Sequence, residues 1–156
     1  MATDRTAFPA TKAEILVCGN NVQSFIASGA ITKGQVVAID ATGVSMTVRA
    51  AVVESGEAPI GVAIASVTAA EATAGKQVPV AMIGCIVYVS NYASDVDMDA
   101  GDYVTTNDCA IGGSVITCSG AATQELVGRM LEDSTAASLT MEQMKVKCGC
   151  TNVIHA

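Results

Sequence analysis

The sequence predicts a mainly β fold: a compact β-barrel or sandwich-like body with two similar halves, at most one or two short helices, and an extended N-terminal arm. Three observations predict it. Short runs of β-branched residues are separated by glycines. Several of these runs alternate apolar with polar residues, as half-buried strands do. Finally, similar segments recur at one fixed distance along the chain.

Alternation predicts individual strands. Residues 44–49 alternate apolar with polar side chains, and so do residues 139–147, with a change of phase at Gln143 that predicts a β-bulge. The run 77–83 is more continuously apolar. Because Pro79 has no N–H to donate, we expect this strand to lie at an edge or at a break in the pairing.

Helical signals are few. Thr68 and Glu71 have the spacing of a capping box, and Gly75 is suited to end a helix, so we expect a helix of at most two turns over residues 68–74. The Ala-rich segment 120–125 is a weaker candidate.

One distance along the chain recurs three times. Each repeated pair lies in a similar local context, and the same distance separates Gly34 from Gly101, Gly61 from Gly128, and Cys18 from Cys85. Glycine supplies the flexible turn residue that precedes a strand. Similar turns leading into similar strands predict two structurally similar halves in one barrel or sandwich.

Size and charge exclude several function classes. A chain of 156 residues with 51% hydrophobic residues can bury a core within one domain. The net charge of −7 argues against nucleic acid as a partner, because phosphate binding needs clustered Lys and Arg. The single histidine, His155, is next to the C-terminal residue. This position argues against most general-base and metal-dependent enzymes, so we expect neither catalysis nor a cofactor.

Two clusters contain residue types that ligate metals, but neither has a binding pattern. The acidic segment 95–102 lacks the glycine and the final glutamate of a calcium loop, so we expect a solvated turn. Cys148, Cys150 and His155 would give zinc three ligands, with no second cysteine pair nearby. We therefore expect no metal site. The six cysteines are expected to be reduced thiols.

The chain divides into an N-terminal arm (1–14), a β-rich body (15–147) and a C-terminal tail (148–156). The arm carries Arg5, Phe8, Pro9 and Lys12 ahead of the first strand candidate. An extended arm with Phe8 and Pro9 could dock on a neighbouring subunit; a frayed terminus is the alternative.

Several turn motifs, in this order and spacing, resemble those of one family. They are residues 29–37 (GAITKGQVV), 40–43 (DATG), 59–63 (PIGVA), 75–80 (GKQVPV) with Gly84 following, 100–104 (AGDYV) and 127–132 (VGRMLE). The chain resembles the capsid cement, or head decoration, proteins of tailed phages. The six cysteines and the longer segment between Val48 and Pro59 depart from that pattern.

The resemblance implies a barrel-like β fold, a homotrimer, and binding to the exterior of the assembled phage capsid, where the protein would bridge and stabilise subunits of the major capsid protein. Arg5, Phe8, Pro9 and Lys12 are then candidates for contact with a subunit or the capsid. No apolar run is long enough to predict a membrane span. The N-terminal sequence lacks the pattern of a secretory signal, so we expect synthesis in the host cytoplasm.

A receptor- or carbohydrate-binding module on the virion surface is the alternative. Sugar-binding platforms use exposed aromatic side chains. The chain has no Trp and three Tyr, and Tyr88 and Tyr92 with Asn91 form its local cluster. The end of a strand followed by a turn explains that cluster equally well.

Overall fold

The computed structural model describes residues 15–17, 21–42, 45–51, 59–91, 99–106, 112–118, 126–131 and 142–148. Its strands are β1 (Ile15–Val17), β2 (Val22–Ala27), β3 (Val36–Ile39), β4 (Thr47–Ala50), β5 (Pro59–Ala63), β6 (Gln77–Ala81), β7 (Ile86–Asn91), β8 (Tyr103–Thr105), β9 (Ile116–Thr117), β10 (Leu126–Met130) and β11 (Glu142–Cys148). Between β5 and β6 lies the short helix α1 (Ala69–Thr73). The predicted mainly β class is confirmed.

The first half of the chain is a closed barrel. Its five strands are hydrogen-bonded in the order β2-β4-β3-β5-β6, and parallel pairing of β2 with β4 closes the ring. The interior is filled by buried apolar side chains, to which α1 contributes Ala72. The largest of the others are Phe25, Ile31, Val37, Val48, Val67, Val78 and Val80.

Helix α1 forms as its sequence predicts. The Thr68 hydroxyl accepts a hydrogen bond from the Glu71 N–H at 3.3 Å, and the Glu71 carboxylate accepts one from the Thr68 N–H at 2.8 Å. Gly75, at φ +79°, follows the helix. Because a left-handed residue cannot continue a right-handed helix, the chain turns into β6.

The second half is a six-stranded antiparallel sheet in the order β1-β7-β11-β10-β8-β9. Without β1, this order matches that of the barrel strands, with β7, β8, β9, β10 and β11 in the places of β2, β3, β4, β5 and β6. The two halves therefore share one strand order, as the recurring distance predicts.

The correspondence extends to individual residue pairs. Val37 lies opposite Gly61 in the β3–β5 pair, and Val104 lies opposite Gly128 in the β8–β10 pair, so that both partners are displaced along the chain by the recurring distance. Both pairs have a register shift immediately beside this point. The registers of β3–β4 and β8–β9 match at the same distance.

The turn that precedes each central strand is also repeated. The N–H of Thr32 donates to the Gln35 side-chain oxygen at 2.7 Å, and the N–H of Asp99 donates to the Asp102 carboxylate at 3.0 Å. Gly34 and Gly101, the third residues of the two turns, have φ +91° and +104°. Glycine is favoured there because other residues are strained at positive φ.

The second sheet packs against the outside of the barrel. Apolar residues on the inner face of the sheet pack against the barrel wall in one continuous core. The wall contributes Val36, Ala38, Ala51, Val62 and Ala81, and the sheet contributes Val87, Val89, Val104, Val127 and Met130 among others.

Backbone hydrogen bonds fasten the two halves together at the turn that leads into β9. Gly113 accepts from the Val36 N–H and donates to the Ala51 carbonyl, both at 2.7 Å. The Gln35 side-chain amide donates to the Gly112 carbonyl at 2.9 Å. Gln35 therefore holds its own turn and the second half at once.

Two strand details can be compared with expectation. Of the two positions predicted for Pro79, the edge is wrong, because β6 pairs with β2 on one side and β5 on the other, whereas the break is found, because the pairing with β5 stops at Val80. The Pro79 carbonyl accepts from the N–H of Ile64, the residue after β5, so its missing N–H falls where β5 has ended. The bulge predicted at Gln143 is also wrong, since β11 pairs with β7 in unbroken register from Glu142 to Lys147.

Candidate interaction surface

The same row of residues has opposite surroundings in the two halves. Val36 and Val62 lie opposite each other on the barrel wall, and both are fully buried beneath the second sheet. At the equivalent positions of the second sheet lie Tyr103 and Arg129, which also face each other and are exposed. Equivalent positions are therefore apolar and buried in the barrel but amphipathic and exposed on the second sheet.

Tyr103, Arg129 and Leu131 together form what we call the outer face. The Arg129 guanidinium lies over the Tyr103 ring, 4.4 Å from its centroid, a favourable cation–π geometry. Leu131 immediately follows β10 and is 41% exposed, while Tyr103 is 43% exposed. Tyr and Arg are the residue types that dominate binding energy at protein interfaces.

Further basic residues occupy neighbouring register positions. Lys147 of β11 lies opposite Arg129, and Lys145 of the same strand lies opposite Tyr88 of β7. Arg129, Lys145 and Lys147 are three of the eight Lys and Arg residues in a chain of net charge −7. Strands β10 and β11 thus place three basic residues at neighbouring register positions.

A second exposed apolar site lies at the turn between β3 and β4, which we call the hairpin tip. Ile39 is 47% exposed and Met46 50%. Met46 has φ +63° and is the one non-glycine residue with positive φ among those the structure describes. A methionine held in this conformation costs free energy of order 1 kcal/mol.

The hairpin tip carries an ionised carboxylate, with Arg49 of β4 within electrostatic reach. The Asp40 carboxylate accepts hydrogen bonds from the Thr42 hydroxyl at 2.6 Å and the Thr42 N–H at 3.0 Å. These bonds, with one from Ser28, lower the pKa of Asp40 from 3.8 to about 2. Asp40 is therefore ionised at neutral pH.

The predicted contact residues Arg5, Phe8, Pro9 and Lys12 lie outside the described residues, so their role stays a prediction. Of the cysteine and histidine cluster, Cys148 ends β11 opposite Gly128, and the other two members lie outside the described part of the chain.

The other sequence candidates are placed in part. Tyr88 and Asn91 belong to β7, whereas Tyr92 is not among the described residues. Within the acidic segment, the described residues from Asp99 onward form the solvated turn that the sequence predicts, which Asp102 stabilises. In the described part of the chain, no three His, Cys, Asp or Glu residues are grouped to hold a metal ion.

The described ranges also contain no helix long and apolar enough to cross a membrane.

Comparison with solved structures identifies a protein that has the same fold. A chain in the solved structure of the capsid of Myoviridae phage XM1 superposes with a TM-score of 0.62. The match covers 91% of this chain and 90% of that one, at 15% sequence identity. The two chains share a fold over nearly their whole lengths. No protein-family model and no curated protein matches this sequence.

Sequence reasoning missed the outer face, although a signal for it existed. Aligning the chain with itself at the recurring distance sets Val36 beside Tyr103 and Val62 beside Arg129. A change from small apolar to large amphipathic residues at equivalent positions indicates that the face is buried in one half and exposed in the other.

Proposed function

We propose that this protein is a structural component of a phage virion. It would bind the exterior of the assembled capsid as a homotrimer, bridge neighbouring subunits of the major capsid protein, and act without catalysis. The observation that carries this proposal is the fold shared with a chain of the phage XM1 capsid over 91% of this sequence. The ordered turn motifs of the sequence support it independently.

The architecture suits this role. One continuous core joins the barrel to the second sheet, and backbone hydrogen bonds fasten the two halves. A rigid body loses little conformational entropy when it docks, so more of its contact energy remains for binding. The outer face supplies the Tyr and Arg side chains typical of a contact surface.

Stabilisation would follow from mass action. A protein that binds only the assembled shell stabilises it by RT ln(1 + [L]/Kd) at each site, about 4 kcal/mol when its free concentration is a thousandfold above Kd. Three linked copies would bind more tightly than one, because the second and third contacts form intramolecularly. The net charge of −7 would keep the unbound protein soluble.

The test is binding to purified, expanded capsids of the phage that encodes the chain, stripped of surface proteins. We expect saturable co-sedimentation, capsids that survive higher temperature, and density for the chain on the outer surface in electron cryomicroscopy. A chain that never co-sediments, or that lies inside the DNA cavity, contradicts the proposal.

The predicted arm contact has its own test. A variant with Arg5, Phe8, Pro9 and Lys12 all replaced by Ala should bind capsids at least tenfold more weakly, because it lacks the apolar and charged groups of the arm. Gln23→Ala, on the exposed side of β2, is the matched control and should bind like the unaltered chain. If all three proteins bind equally, the arm plays no part and the capsid role stands.

A further inference from the structure

We propose that copies of this chain join head to tail, with the hairpin tip of one copy (Ile39, Asp40 and Met46) seated on the outer face of the next (Tyr103, Arg129 and Leu131). This contact deepens the proposed function, on which its place in a trimer rests, by naming the two surfaces that would hold the trimer together.

In the described part of the chain, the two halves differ in what covers the equivalent face. The equivalent face of the barrel, around Val36 and Val62, is covered by the second sheet of the same chain. The second sheet's own outer face keeps Tyr103 and Leu131 exposed to solvent. The second sheet therefore covers the barrel wall and itself exposes large apolar side chains on its other side. A second copy of the chain could cover that side in the same way.

The hairpin tip carries a carboxylate where the outer face carries a guanidinium, and both surfaces expose large apolar side chains. Ile39 and Met46 offer two large exposed apolar side chains, and Asp40 places an ionised carboxylate beside Ile39. The outer face offers Leu131 and the Tyr103 ring with the Arg129 guanidinium above it. The Asp40 carboxylate and the Arg129 guanidinium are opposite in charge, and both surfaces expose apolar side chains, so pairing of the tip with the face is favoured over other pairings.

The backbone at Met46 is an independent observation. A β-turn position with φ +63° suits Gly or Asn, yet the chain places there a methionine whose side chain is half exposed. Within one copy this choice costs stability and leaves an apolar side chain in water. A contact with a second copy accounts for both features, because Met fills irregular apolar interfaces well.

The two surfaces differ, so the contact is heterologous. Each copy carries one tip and one face, and such contacts either close into a ring or continue as a filament. A ring of three copies would satisfy three tips and three faces and leave no surface of either kind open.

Sedimentation velocity over a concentration series tests the contact. Met46→Asn removes the apolar side chain and relieves the backbone, so this variant should be at least as resistant to denaturant as the unaltered chain and yet assemble at least tenfold more weakly. Leu131→Glu should weaken assembly similarly from the other side. Ile83→Asn, which changes a side chain 47% exposed elsewhere, is the control and should assemble normally.

Mixing the two variants separates this contact from a symmetric one. A Met46→Asn copy keeps an intact face and a Leu131→Glu copy keeps an intact tip, so an equimolar mixture should form a one-to-one heterodimer while each variant alone stays monomeric. If the mixture stays monomeric, or if both variants assemble like the unaltered chain, the proposal is overturned. It is also overturned if the unaltered chain is monomeric at about 1 mM, where a millimolar contact is half formed.

Capsid co-sedimentation of the same proteins distinguishes this failure from failure of the proposed function. If the unaltered chain binds capsids and the variants assemble like it, the function stands and this contact does not. If the mixing result is obtained but nothing binds capsids, the contact stands and the function does not.

Discussion

The two halves of this protein have one strand order and two different closures. In the barrel, β2 takes β4 as its second neighbour, and the ring closes. In the second sheet, β7 stands where β2 stands, but its second neighbour is β1 from the start of the body. The same meander can therefore form a closed barrel or an open sheet, depending on which strand reaches its edge.

The difference in closure accompanies a difference in burial. The barrel has its own apolar interior, and its outer wall packs against the second sheet. The second sheet has one apolar face, which it buries against that wall. The open half thus depends on the closed half for its core, and its outer face is free to acquire the residues of a contact surface.

Exchanging the residues at one equivalent position should have the largest effect. Val62→Arg would bury a guanidinium in the core between the halves, and we expect it to lower the free energy of unfolding by about 4 kcal/mol. Arg129→Val loses only an exposed cation–π contact, for a change of about 1 kcal/mol or less. Urea denaturation measures both. Similar values for the two variants would mean that the equivalent faces are not differently covered.

The closed half should also be sensitive to its closest strand approach. A Cβ on Gly61 would overlap the Ala81 carbonyl oxygen and lie 2.8 Å from Val80 Cγ1. Because backbone must move to admit it, Gly61→Ala should cost about 3 kcal/mol. Gly29→Ala is the control, since nothing lies within 4 Å of its Cβ position. A Gly61→Ala protein as stable as the control would refute the close packing of β5 on β6.

The repeated turns should respond alike. Gly34→Ala and Gly101→Ala each force alanine into positive φ, and each should cost about 1 kcal/mol. The two values should agree within about 0.5 kcal/mol, the usual error of such comparisons. Chemical denaturation of both variants beside the parent decides this. Unequal costs would show that the two turns, although alike in geometry, are not equivalent in energy.

The smallest effect concerns pH and is confined to the barrel half. A salt bridge and hydrogen bond from Lys76, followed by hydrogen bonds from Thr68, lower the pKa of Glu71 from 4.5 to about 2. A lowered carboxyl pKa stabilises the fold above pH 4.5, and this contribution is lost as pH falls toward 2. Glu71→Gln should therefore be less stable than the parent at pH 6, and most of this difference should be gone at pH 2. A difference that persists unchanged at pH 2 would assign the effect to packing instead.

Local features of this fold could be predicted from the sequence because short-range chemistry determines them. The capping box at Thr68 and the glycine turns at Gly34 and Gly101 depend on a few adjacent residues. The two similar halves were also predictable, since the same turns recur at one distance.

Features that depend on distant neighbours could not be predicted. The position of Pro79 inside the barrel depends on where β5 ends, which is at Ala63, on the far side of helix α1 along the chain. Closure through the parallel β2–β4 pair depends on curvature accumulated over five strands. The outer face was also not predicted, because Tyr103 and Arg129 can be recognised as a contact surface only by comparison with Val36 and Val62 at the equivalent positions of the barrel.

The pairing of β1 with β7 has a consequence for synthesis. β1 is translated before the barrel strands, but its partner residues Ile86 and Val87 leave the ribosome only after all of those strands have been made. The barrel strands, which end at Ala81, meet one another sooner. Until the second sheet arrives, the wall around Val36 and Val62 remains apolar and open to water, and a nascent chain halted at this stage would be prone to aggregate.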